Sequence, residues 1–127
     1  MGLNLMFKFL KSFKYKIHSE EKSMLIQALI DCNVVCNQCY YACFREEDVK
    51  MLSECIQLNR ICAEVCDLTA GWVSVARRND ELAIVLKNLC VKICDSCADE
   101  SEKYLYEHCK RCAIACRKCS EVCKSLI

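Results

Sequence analysis

Fifteen of the 127 residues are cysteine, and their spacing is the first feature that could do chemistry. They fall in four runs: Cys32, Cys36, Cys39 and Cys43; Cys55, Cys62 and Cys66; Cys90, Cys94 and Cys97; and Cys109, Cys112, Cys116, Cys119 and Cys123. Six pairs have the form C-x-x-x-C: Cys32/Cys36, Cys39/Cys43, Cys62/Cys66, Cys90/Cys94, Cys112/Cys116 and Cys119/Cys123. Residues i and i+4 are neighbours on a helix surface, so each pair holds two sulfurs side by side. Soft thiolates of this kind select copper(I), zinc or iron–sulfur clusters.

The elements that must carry these runs are helices. With no proline and two glycines, the chain lacks the residues that punctuate hairpins and irregular loops. Four helical segments are predicted, at about Glu20–Phe44, Asp48–Arg77, Asp80–Ser101 and Tyr104–Leu126, and their short connections make neighbours antiparallel. Acidic residues between Arg45 and Asp48 suit a new helix N-terminus, and Asn79, Asp80 and Glu81 suit the start of the third helix.

At about 100° per residue the five cysteines of the last segment occupy an arc of about 80°. Lys110, Arg111, Arg117 and Lys118 lie off that arc. The other stripes are equally narrow, so the fold class is all-α: an antiparallel four-helix bundle whose core is lined by thiols, with a short N-terminal extension. Residues 1–18 form that extension and residues 19–127 the bundle.

Continued one way, the stripes reach Leu25, Ala28, Leu29, Thr69, Val73, Ala83 and Leu86, which close one end by ordinary packing. The other end, with Cys43, Cys55, Cys97 and Cys109, is the expected mouth. Met51 and His108 fall on or beside the stripes there and complete the candidate metal-ligand set. Met51 also suits a flexible core filler, and His108 an exposed first-turn residue. Asp48 is explained by the helix dipole, and Trp72 and Tyr40 by packing.

Other readings of the cysteines are weaker. One or two buried cysteines act as small hydrophobes, but fifteen on four aligned stripes are too many for that account. A secreted disulfide framework calls for a signal peptide, loop-rich composition and usually an even count. Side chains on one helix are also poorly directed for a disulfide dihedral near 90°.

Zinc tetrathiolates carry two negative charges that no inward lysine or arginine offsets, and here the C-x-x-C pairs lie within helices rather than in knuckle turns. Iron–sulfur signatures place their cysteines in loops. Copper(I) exchanged for a thiol proton leaves the core charge unchanged. With bridging thiolates, roughly 10 to 15 ions per chain follow. Zinc sequestration, a redox-buffering thiol protein and a structural helical interaction protein are the alternatives.

Composition excludes several classes. Eighteen basic residues against seventeen acidic ones, with no basic face or aromatic-basic motif, argue against nucleic acid as a partner. No apolar run approaches the roughly 20 residues that span a bilayer. No phosphate loop, H-E-x-x-H or nucleophile motif accompanies His18 or His108, so no enzymatic activity is expected. The first residues lack a twin arginine, a positive n-region and a small-residue cleavage site, which predicts a cytoplasmic location and reduced thiols.

The extension places Leu3, Met6, Phe7, Leu10, Phe13 and Ile17 on one helical face, with Lys8, Lys11 and Lys16 off it and Lys14 interrupting it. That pattern suits a membrane surface. Packing on a neighbouring subunit, or a terminal extension without fixed contacts, suits it as well.

The segment CNVVCNQCYYACFREEDVKMLSECIQLNRICAEVC, followed by EHCKRCAIACRKCSEVC, resembles the cysteine-rich four-helix-bundle copper storage proteins over about residues 20 to 126. The resemblance implies a bundle that fills with Cu(I) along its axis, commonly as a homotetramer, and the absent export signal resembles the cytosolic branch. It implies storage or detoxification, with a copper chaperone or small thiol as donor. Two departures stand out: Asn59 interrupts the second cysteine stripe, and Tyr104 to Tyr106 occupy a region often richer in histidine.

Overall fold

The structure is a computed structural model that describes residues 2–126. Helix α1 spans Gly2–Cys43, α2 Ser53–Val75, α3 Glu81–Ser101 and α4 Glu107–Ser125, with one 3-10 turn at Val49–Leu52 before α2. Each helix packs against the next, and α1 also packs against α4, which closes a four-membered ring around one core. The predicted bundle is therefore the observed fold.

Three helix starts differ from the sequence expectation: the first helix, expected from about Glu20, begins at Gly2, and two others start later than expected. The second helix begins not at Asp48 but at Ser53, after the 3-10 turn, and Asp48 makes no side-chain cap. Its carboxylate is instead taken by the Tyr106 hydroxyl. The fourth helix begins at Glu107 rather than Tyr104, because the Tyr104 hydroxyl donates to the Met51 carbonyl at 3.0 Å and ties the two turns at that end together.

The α2–α3 turn follows its sequence signals. Asn79 takes φ 67°, a left-handed conformation that asparagine tolerates better than most residues. Asp80 then caps α3 by accepting from the Ala83 N–H at 2.9 Å. It also accepts from the Trp72 indole N–H at 2.9 Å. Those bonds to its charged form, Trp72 foremost, hold the Asp80 carboxyl below its ordinary range.

The N-terminal extension is helical and continuous with the first bundle helix, so α1 runs 42 residues, about 63 Å at 1.5 Å per residue. Residues 2–17 are all exposed, and burial along α1 begins at Leu25. The extension thus projects beyond the end where Leu25, Leu29, Val73, Ala83 and Leu86 are buried.

Candidate metal-binding core

All fifteen cysteines are free and buried, and fourteen of them are no more than 0% exposed. The helical periodicity makes this inevitable once the bundle closes, because every stripe points along the same axis. Among described residues, the only buried polar or charged side chains are Asn59, Thr69, Glu100, Ser101 and Ser120. None of these is a cation. Glu100 pairs with Lys103 at 3.1 Å near the surface.

The sulfurs form a connected array. Four quartets have all their Sγ atoms within 4.8 Å of one another: Cys32, Cys62, Cys66 and Cys94; Cys32, Cys36, Cys62 and Cys116; Cys36, Cys97, Cys112 and Cys116; and Cys39, Cys43, Cys55 and Cys109. The first three overlap, sharing Cys32, Cys36, Cys62 and Cys116. Individual contacts are 3.6 Å for Cys36–Cys116 and 3.7 Å for Cys62–Cys94. The i,i+4 pairs Cys32/Cys36, Cys39/Cys43 and Cys112/Cys116 lie at 3.8, 4.0 and 4.0 Å. Cys90, Cys119 and Cys123 continue the array toward the closed end, where the Cys90 thiol donates to Thr69 Oγ1 at 3.1 Å.

Burial in this array opposes bare thiolates. Cys39 donates to Cys109 at 4.0 Å, and this bond, followed by those to Cys112 and Cys43 and then by burial, holds its thiol well above the ordinary range. A network of this kind supports a few negative sulfurs only by keeping their neighbours protonated. Wholesale deprotonation requires cations to replace the protons.

At the mouth the structure brings His108 to the thiols. Its Nδ1 lies 3.4 Å from Cys39 Sγ, 3.6 Å from Cys109 Sγ and 4.0 Å from Cys43 Sγ. Its Nε2 meets Glu46 Oε1 at 3.1 Å. With Nε2–H donating to that carboxylate, the Nδ1 lone pair faces the sulfurs, the arrangement that orients metal-binding histidines. Tyr106 stacks on the imidazole with centroids 5.3 Å apart and fixes the ring plane.

Met51 is not brought to the cluster. It sits in the 3-10 turn with 72% of its surface exposed, because that turn breaks the helical phase on which its place beside the stripe depended. Cys97, expected at the mouth, lies one layer deeper with Cys36, Cys112 and Cys116. The last turn of α3 runs past it, and Ser101, four residues on, takes the place beside Cys55 at 3.7 Å.

Asn59 does more than interrupt a stripe. Fully buried, it accepts from the Cys97 and Cys112 thiols at 3.4 and 3.3 Å through Oδ1 and donates to Cys55 Sγ at 3.7 Å through Nδ2. It separates the mouth quartet from the overlapping three while linking them by hydrogen bonds. Its position on the cysteine stripe was the signal that marked it. Glu46 and Tyr106 carried no such signal, since they reach His108 only through the packing of two turns.

The geometry admits zinc as well as copper. Three of the quartets are disjoint, and a tetrahedral zinc with bonds of roughly 2.3 Å spans S···S edges near the observed spacing. Three such ions would leave six negative charges in a core that, among described residues, holds no cation. One copper(I) per displaced thiol proton leaves none.

Comparison with known proteins agrees with this arrangement. A family model described as copper storage protein matches residues 18–127. The uncharacterized cysteine-rich protein YhjQ of Bacillus subtilis (strain 168) is 38% identical over 101 residues, 80% of this chain and 91% of that protein. Among solved structures, a cytosolic copper storage protein from Streptomyces lividans holding five coppers superposes with a TM-score of 0.83 at 32% identity, covering 87% of this chain and 95% of that one. The Cu(I)-bound copper storage protein BsCsp3 superposes with a TM-score of 0.77 at 35% identity, covering 84% and 97%. With its bundle, its thiol-lined axis and a family match over all but the N-terminal extension, the chain belongs to the copper storage protein family.

Proposed function

We propose that the protein stores several Cu(I) ions at once on the thiolates that line its core. The observation that carries this reading is the sharing of Cys32, Cys36, Cys62 and Cys116 between adjoining quartets. A shared sulfur suits bridging between metals, and an array of shared sulfurs suits a store rather than a set of separate centres. Each arriving ion displaces a thiol proton, bonds two or more sulfurs, and leaves the low-dielectric core with unchanged net charge.

The cysteines Cys32 to Cys123 are the proposed ligands. His108 is the proposed receiving ligand, because its Nδ1 faces three thiols at the mouth while Glu46 holds the opposite nitrogen. An ion taken there passes to Cys39, Cys43, Cys55 and Cys109 and then inward past Asn59. Met51, exposed in its turn, is at most a first contact for an arriving ion. Storage in the cytosol follows the Streptomyces lividans relative. A homotetramer, loaded by a copper chaperone or a small thiol, completes the reading.

Anaerobic titration of the reduced, metal-free protein with Cu(I) against a competing chelator, with zinc in parallel, tests it. The expected result is tight uptake of roughly 10 to 15 copper ions per chain, with about one proton released per ion in weak buffer. Saturation by about three zinc ions, with no larger copper capacity, would overturn it in favour of zinc sequestration.

A further inference from the structure

The N-terminal extension of α1 is absorbed neither by the core nor by the family match, which begins at residue 18. Its side chains are unpartnered: Leu3, Met6, Phe7, Phe9 and Phe13 are each 54–72% exposed. On the observed helix, Phe9, Phe13, Met6, Ile17, Leu10, Leu3 and Phe7 fall within about 160°. Lys8 and Lys11 lie on the opposite face and Lys16 at one rim, while Lys14 interrupts the apolar arc between Leu3 and Phe7. Residues 1–19 contain four lysines and no acidic residue.

Charge at the base of this helix has the same sign. Where the extension leaves the bundle, a cavity of about 520 Å³ is lined by Lys22, Arg77, Arg78 and Lys87 against Glu21 and Asp80.

We infer that the extension docks the store on an anionic lipid surface, its apolar face among the acyl chains and its lysines toward the headgroups. An amphipathic helix with aromatic and aliphatic residues on one face and lysines on the other has the composition of an interfacial anchor. Each lysine near an anionic surface adds to the attraction. No described helix is long and apolar enough to cross a membrane, so the helix lies at the interface. A second copy of this chain fits the same face less well, since face-to-face packing would bury the Lys14 of each helix within the shared apolar arc.

The test is vesicle flotation of the full-length protein with phosphatidylcholine vesicles, with and without a third of phosphatidylglycerol. Binding to the anionic vesicles, weakened by added salt, and at least tenfold weaker binding to the neutral ones are expected. K8E/K11E/K16E should lower anionic binding at least tenfold and F9D/F13D should abolish it. Both leave copper capacity unchanged, because all five residues are exposed and remote from the thiols.

No flotation, equal binding by the triple glutamate variant, or extension-dependent self-association without vesicle binding would overturn the docking.

Discussion

The two ends of the bundle are built from the same four helices and do opposite things. At the closed end Leu25, Leu29, Val73 and Ala83 fill the axis, and the turn between α2 and α3 is fixed by Asp80. At the mouth the axis is filled by thiols, and the turns are fixed by hydrogen bonds from Tyr104 to Met51 and from Tyr106 to Asp48. Apolar packing at one end supplies stability that does not depend on metal, which frees the rest of the axis for side chains chosen as ligands. The difference implies that stability and copper capacity are separable along one core.

The largest expected effect separates them directly. Leu29→Ala removes a fully buried side chain and should destabilise the metal-free protein by about 2–5 kcal/mol, measured by urea unfolding, without changing the number of coppers bound. Its counterpart, the double change C36S/C116S, removes two sulfurs shared between quartets and should cut capacity by several ions in chelator titration. Equal loss of capacity in both variants would show that the two ends are one cooperative unit.

A smaller effect sharpens the mouth itself. His108→Ala should slow Cu(I) uptake on the order of tenfold in stopped-flow mixing while leaving final occupancy nearly intact, because the other ligands lie deeper. Glu46→Gln should act in the same direction and more weakly, since it still accepts from Nε2–H but no longer offsets a charged intermediate. Uptake at the unaltered rate in both would remove His108 from the route.

The smallest effect is expected at Met51. Since its side chain points to solvent, Met51→Ala should change uptake by less than about twofold. A slowing comparable with that of His108→Ala would mean that the 3-10 turn closes over the mouth during loading.

Much of this was legible in the residues. The absence of proline fixed the helical class, and the i,i+4 and i,i+7 recurrence of cysteine placed all fifteen sulfurs on a single axis. Leu25, Leu29 and Val73 marked the closed end through the same periodicity. Periodicity reads only one helix at a time, however. It carried the phase of α2 back through Val49–Leu52, where the backbone is a 3-10 turn, and so placed Met51 beside thiols it does not reach.

The sequence by itself determined that every cysteine would face inward, because side-chain direction within a regular helix follows from spacing alone. It also determined the basic, amphipathic character of the N-terminal extension. Only the tertiary structure decided which sulfurs share a quartet, that Ser101 rather than Cys97 stands beside Cys55, and that Asn59 bridges two layers of thiols. It also decided that Glu46 and Tyr106 hold His108 over the mouth. These outcomes depend on the axial stagger of one helix against another, which is set by packing and by the lengths of the turns, and no local pattern in a single helix encodes it.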